Sequence, residues 1–218
     1  MSENSYNPSR GLRAVIFDYG EVLCHRPTPD EIARLAGFFG VDNEQFSALW
    51  ERNRGPYDRG DLTAKVYWSM LAEDAGTAIQ PGQLEEICAL DMAMWSNVNS
   101  GMVNWARQLA SSGLKLALLS NMHPDMVAHA RRHFAWLKSF DCLTFSGEKR
   151  MIKPDPAIYE LTLRDVGVAA AESLFLDDRE INIRAARALG MHAIRFQSIM
   201  QLRGELQSVG FPILPGNS

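Results

Sequence analysis

Leu12-Arg13-Ala14-Val15-Ile16-Phe17-Asp18-Tyr19-Gly20-Glu21-Val22-Leu23 is the stretch from which the fold is read. Its first half is a short apolar run without polar alternation, the pattern of a strand buried on both faces, and such strands belong to parallel sheets. The run stops at an acid, Asp18. Four similar runs follow, at 114–119, about 140–145, 173–176 and 192–196. Helical patterns lie between the later ones. Met102, Trp105, Ala106 and Leu109 share a face over 101–112, and Ile181, Ile183, Ala185 and Leu189 recur over 179–189. Over 156–166 the spacing is mixed. Strands alternating with helices imply βαβ units, and so an α/β fold with a Rossmann-like parallel sheet at its core.

Residues 28–98 break that alternation. No strand pattern is present there, and helical spacing covers 30–39, 43–51, 62–75 and 82–95, with Gly55-Pro56-Tyr57-Asp58-Arg59-Gly60 read as a loop. The expected organisation is a core of residues 11–27 and 99–218 with an α-helical subdomain, 28–98, inserted after the first strand. The polar ends, 1–10 and 212–218, are expected to fray.

Composition narrows the functional classes. Of 218 residues, 46% are apolar and 22% charged, which disfavours disordered, collagenous and coiled-coil chains. Lys and Arg number 22 against 26 Asp and Glu, a net charge of −4, so a general nucleic-acid binder is not indicated. Cys24, Cys88 and Cys142 are an odd number at wide spacing, read as reduced thiols. With no apolar leader and no run near the roughly 20 residues that span a bilayer, the chain is expected to be cytoplasmic, as a monomer or homodimer without a membrane partner.

In an open parallel sheet, reactive groups collect at the carboxyl ends of the strands. The residues just beyond the apolar runs are Asp18, Ser120-Asn121 and Asp177-Asp178, and Lys153 precedes Asp155, an N-cap candidate, and Pro156. Each alone reads equally well as a helix cap or a solvated charge. Together they are complementary: a carboxylate nucleophile, hard oxygen ligands for Mg²⁺, an anion-binding hydroxyl and a point charge.

This ordered set resembles the haloacid dehalogenase-like superfamily, over residues 12–196. Its motifs match Asp18-Tyr-Gly-Glu-Val, Leu-Leu-Ser120-Asn121, Lys153-Pro-Asp-Pro and Phe-Leu-Asp177-Asp178-Arg-Glu-Ile-Asn182. The inserted helices match that family's cap. The resemblance implies a hydrolase of small phosphorylated metabolites in which Asp18 becomes a phosphoaspartate. It further implies that Asp18, the Gly20 carbonyl and Asp178, with Asp177 nearby, hold Mg²⁺, that Ser120 and Asn121 bind the phosphoryl group, and that Lys153 neutralises it. Asn182 stands where many members carry a further acid.

Gly20 departs from the pattern. Most phosphatases of the family place there a second Asp, which protonates the leaving group, and removing such a group costs about 10²–10⁴-fold in rate. A sugar 1-phosphate, whose anomeric oxygen leaves readily, is one way out, and Phe-Asp-Tyr-Gly-Glu-Val is similar to the Phe-Asp-x-Gly-Asn-Val of sugar 1-phosphate phosphatases. Glu21, His25 or a cap residue supplying the proton is another. Two rival readings keep the fold: a metal-independent 2-haloacid dehalogenase, and a catalytically weak phosphate-binding or regulatory protein. Sugar-phosphate mutase activity is disfavoured by Gly20.

Other features carry weaker expectations. His129 and His133 are read as a solvated helix face and His123 as a hydrogen-bonded loop residue. Arg52, Arg54 and Arg59 around Tyr57 read equally well as an anion-holding segment and as a solvated loop. Trp50, Trp68 and Trp95 are expected in the core of the insert.

Overall fold

The structure, a computed structural model, describes residues 11–216; residues 1–10 and 217–218 lie outside it, and with them most of the expected frayed ends. Five parallel strands form one sheet: β1 (Ala14–Phe17), β2 (Lys115–Ser120), β3 (Cys142–Phe145), β4 (Ser173–Asp177) and β5 (His192–Arg195). Their order is β3-β2-β1-β4-β5. Ile16 sits opposite Ala117 on one side and Phe175 on the other. Every residue of β1 is buried, as the uninterrupted apolar run demands. Each fully buried Val, Ile or Phe contributes about 1.5–3 kcal/mol, so the strand that presents Asp18 is among the most firmly held parts of the chain.

One apolar layer packs Val15, Phe17, Leu116 and Leu118 against α6 (Ser100–Ser111) and α7 (Pro124–His133). Past β3 comes the four-residue α8 (Ser146–Lys149), and the opposite layer packs Ile16, Ala117 and Phe175 against α9 (Pro156–Val166) and α10 (Glu180–Ala188). Because the chain builds one half of the sheet from β1 and then returns to its other side, a crevice opens beyond the carboxyl ends of β2, β1 and β4. A last helix, α11 (Ile199–Ser208), leads into a tail that is tied down, contrary to expectation for 212–216. Trp105 Nε1 donates to the Ile213 carbonyl at 3.0 Å, and Ile213 and Leu214 lie against the core. A buried indole N–H needs an acceptor, and this tail supplies it.

Between β1 and α6 run α1 (Pro29–Phe39), α2 (Asn43–Arg52), α3 (Arg54–Asp58), α4 (Ala64–Asp74) and α5 (Gln83–Met94). They close on their own cluster around Leu35, Phe39, Phe46, Trp68 and Leu71. Thr28 caps α1 in a reciprocal box with Glu31, and Thr63 caps α4. The two chain passages into this block run side by side. Cys24 bridges Val98, His25 N–H donates to Asn97 O at 2.7 Å, and Asn99 N–H donates to Leu23 O at 2.9 Å.

Most of the segment 55–60 is helix and not loop, with only Arg59 and Gly60 forming a turn. Arg54–Asp58 is a short helix, because Pro56 falls in its first turn, where no N–H is required, and Arg54 pairs with Asp58 one turn on. Among the described residues no helix is long and apolar enough to cross a membrane.

Candidate active site

Asp18 follows β1 directly, Ser120 ends β2 and Asp177 ends β4, so the sheet register sets all three at one rim. Beyond Asp18 the chain winds round one carbonyl: Tyr19 O accepts from the N–H groups of Val22 (3.3 Å), Leu23 (2.9 Å) and Cys24 (3.0 Å). This tight loop holds Glu21 at φ +55°, a strained conformation for a residue with a Cβ. Glu21 leans outward onto Arg26 at 2.8 Å.

Lys153, on the segment before α9, is buried with its ammonium 2.8 Å from Asp18 Oδ1 and 2.7 Å from Asp177 Oδ2. Asp155 caps α9 and Pro156 opens it, as the sequence indicated. Asn121 grips the Lys153 backbone from both sides, donating to its carbonyl at 3.0 Å and accepting from its N–H at 2.8 Å. The amide expected on the phosphoryl group thus positions the lysine.

Asp177 is saturated. Its Oδ1 accepts from Arg179 N–H (2.8 Å) and Asn182 Nδ2 (2.9 Å), and its Oδ2 from Asn182 Nδ2 (3.0 Å) and Lys153. Asn182 therefore acts as a donor to a buried carboxylate, a task a further acid could not perform. On Asp18, both the Tyr19 N–H (2.7 Å) and Lys153 fall on Oδ1. Oδ2, with no hydrogen-bond partner among the described residues, is left for the cavity that Asp18 lines.

Asp18, Asp177 and Asp178 bring one oxygen each within 4.8 Å of one another. Among the described residues, Lys153 is the single buried cation in contact with them, so the cluster carries excess negative charge. Burial, with Asp177 and Asp178 adding to it against the pull of Lys153, pushes Asp18 up to about 8. Burial and Asp177 push Asp178 up to about 6. A buried acid cluster in this state favours a cation.

The cavity above these groups has a volume of about 390 Å³, and Ser120, Asn121, Asp178 and Gly20 line it. The helical block supplies much of its wall, through Trp50, Glu51, Arg54, Asp58 and Trp95. Trp68 is core as expected, but Trp50 and Trp95, which do pack on that core, also stack on each other (centroids 5.9 Å apart) at the cavity. Arg54 lies over the Trp50 ring at 4.8 Å and pairs with Asp58 (2.9 Å) and Asp91 (3.5 Å). Arg52 and Arg59 turn instead to Asp74 and Asp61. Reading 54–58 as a helix would have put Arg54 and Asp58 on one face.

His123 caps α7, accepting at Nδ1 from Met126 N–H, and is buried against Tyr57. His129 reaches Ser96 Oγ at 3.2 Å and meets the His133 ring at a tilt. None of the three histidines belongs to the cluster of Asp18, Asp177 and Asp178.

A family model described as haloacid dehalogenase-like hydrolase matches residues 12–190. The chain belongs to the haloacid dehalogenase-like hydrolases. This hydrolase is 27% identical over 200 residues to the sesquiterpene phosphatase astK of Aspergillus oryzae, covering 91% of its own length and 96% of that protein. It is 28% identical over 199 residues to the (S)-2-haloacid dehalogenase of Xanthobacter autotrophicus, covering 87% and 77%. Among solved structures, the HAD family enzyme bt-2542 of Bacteroides thetaiotaomicron, in complex with magnesium and inorganic phosphate, superposes with a TM-score of 0.69 at 20% identity. The overlap covers 86% of this chain and 95% of that one. Phosphatases and dehalogenases thus both stand among the relatives of this hydrolase.

Gly20 is not forced by the backbone. Its φ is outside the left-handed region, and a Cβ there would meet the Trp95 ring at an ordinary 3.7 Å.

Proposed function

We propose that this protein is a Mg²⁺-dependent phosphomonoesterase working through a phosphoaspartate on Asp18. The observation that carries the reading is the convergence of Asp18, Asp177 and Asp178 beside one buried lysine. A dehalogenase working without metal has no use for that many uncompensated acids.

The donor set suits Mg²⁺: hard carboxylate oxygens from Asp18 and Asp178, with the Gly20 carbonyl between them in sequence. Asp177, its oxygens already engaged, fixes Lys153 and the acidic turn. When bound, the ion would neutralise phosphoryl oxygens so that a carboxylate can approach. The chain's own groups do the rest. Asp18 Oδ2 attacks phosphorus, the Ser120 hydroxyl donates to a phosphoryl oxygen, and Lys153 offsets the charge, held in place by Asn121.

Residues 28–98 act as the cap: they supply Trp50, Arg54, Asp58 and Trp95 to the cavity wall, shield the reaction from water and select the organic group. A sugar 1-phosphate depends less on a proton donor than a phosphate ester of an ordinary alcohol. The kinship with a sesquiterpene phosphatase adds apolar monophosphates to the panel, in keeping with the two indole rings.

Metal dependence is the test. EDTA is expected to abolish phosphate-ester hydrolysis and Mg²⁺ to restore it, with sugar 1-phosphates turned over faster than sugar 6-phosphates. Mg²⁺ should also raise Tm, and more at pH 8 than at pH 5, because protons compete for Asp18 and Asp178 at the lower pH. Phosphate-ester hydrolysis undiminished in EDTA would overturn the metal dependence, and chloride release from 2-chloropropionate in EDTA would replace this reading with the dehalogenase.

A further inference from the structure

Asp58 ends α3 and lines the same cavity as Asp18, buried to 7% exposure. Its Oδ1 accepts from Arg54 Nε at 2.9 Å, and its Oδ2 has no hydrogen-bond partner among the described residues. We propose that Asp58 protonates the leaving oxygen and then takes the proton of the attacking water, replacing the side chain that Gly20 lacks. The proposal rests on the phosphomonoesterase reading above.

The surrounding charges support it. The titratable groups facing Asp58 are Arg54 on its own helix, Asp91 from α5 and His123 from the turn before α7, with the phenols of Tyr57 and Tyr67 close by. His123 accepts the Met126 N–H at Nδ1 and sets Nε2 3.3 Å from Asp91 Oδ2, so the imidazole is turned to Asp91. Tyr67 donates its hydroxyl proton to Trp50 O at 2.6 Å. Arg54 is shared between the two buried carboxyls, and burial favours a proton on the acid that has the fewer donors.

Asp91 does not hold it. Burial raises Asp91, but Arg54 and His123 outweigh burial and keep it below the usual carboxylate range. Asp58 has Arg54 alone within hydrogen-bond distance, and burial prevails, raising it. Burial therefore favours a proton on Asp58, the carboxyl that borders the cavity, over Asp91. The competing candidates are committed elsewhere: Glu21 to Arg26, Asp177 to its four contacts, while His25 lines a neighbouring cleft.

The steps balance. Asp18 Oδ2 forms a bond to phosphorus as the ester P–O bond breaks; the leaving oxygen takes the Asp58 proton and departs as an alcohol. Water then gives a proton to the Asp58 carboxylate, its oxygen bonds to phosphorus, and the Asp18–phosphorus bond breaks to release inorganic phosphate. Both acids return to their starting states.

The test uses the Mg²⁺-loaded protein on p-nitrophenyl phosphate, whose phenolate leaves unaided, and on glycerol phosphate, whose alkoxide does not. Asp58→Asn is expected to cut kcat/KM for glycerol phosphate by about 10²–10⁴-fold and for p-nitrophenyl phosphate by less than tenfold. It should also give a burst of nitrophenolate as the phosphoenzyme accumulates. Wild-type protein supplies a second readout independent of folding of the variant: kcat/KM for glycerol phosphate should show an alkaline limb that the nitrophenyl ester lacks. Equal losses on both esters, no loss on either, or wild-type profiles of the same shape overturn the role of Asp58 while leaving the phosphomonoesterase intact. Wild-type protein that turns over neither ester overturns both.

Discussion

Asp18→Asn is expected to abolish phosphate-ester turnover, a loss on the order of 10⁴-fold or more, while the folded protein stays at least as stable as the wild type. The first half follows from chemistry: an amide oxygen is a poor nucleophile, and removal of a nucleophile removes the covalent route altogether. The second half follows from the contacts. The Asn carbonyl oxygen can still accept from Tyr19 N–H and from Lys153, the two bonds made by Oδ1. The amide also takes one negative charge out of a cluster whose mutual repulsion helps push Asp18 up to about 8. A raised carboxyl favours the folded state while protonated, and that contribution fades as pH rises through its folded value. The variant, having lost the titration, should therefore show its largest relative gain in Tm near pH 8 in metal-free buffer. Turnover within a hundredfold of wild type would mean that another group attacks phosphorus.

The strands and their end residues were legible because buried parallel strands leave a one-dimensional trace: Val15-Ile16-Phe17 can be little else, and the residue after each run stands at the rim by geometry. Partnerships across the rim leave no such trace. Nothing in sequence spacing ties the Asn121 amide to the Lys153 backbone, or shows that Asp177 is saturated while Asp178 is not. The wall of the cavity was the least readable part. Trp50 and Trp95 look like core because they pack on the core with one side and border the cavity with the other. At 54–58, Gly and Pro suggested a turn, and the Arg54–Asp58 pair that outweighs them becomes visible only once the helix is assumed. Turn propensity yields where a buried charge is matched one helical turn away.

Lys153→Met should damage fold and function together, which separates it from Asp18→Asn. The lysine is held between Asp18 and Asp177 with its ammonium 5.5 Å from the Phe175 ring centre, all within the packed core. Burial alone would lower its proton affinity, but the two carboxylates dominate and raise it, so it is charged across the accessible pH range. Methionine fills a similar volume without the charge and leaves the acids with no buried counterion. Removing one partner of a buried pair costs about 3–5 kcal/mol. That penalty has a sign in pH. Near pH 5 the acid cluster relieves itself by binding protons at little cost, whereas near pH 8 each proton it holds costs stability relative to the unfolded chain. The Tm deficit relative to wild type in metal-free buffer should therefore widen as pH rises from about 5 to 8, and Mg²⁺ should recover part of it at pH 8 by standing in for the lost positive charge. Turnover should fall by about 10²–10³-fold even with Mg²⁺ present, since the charge that offsets the phosphoryl oxygens beside Asp18 is gone. A deficit that is flat in pH, or activity within tenfold of wild type, would show that the lysine serves packing and not the charge balance of the acids around it.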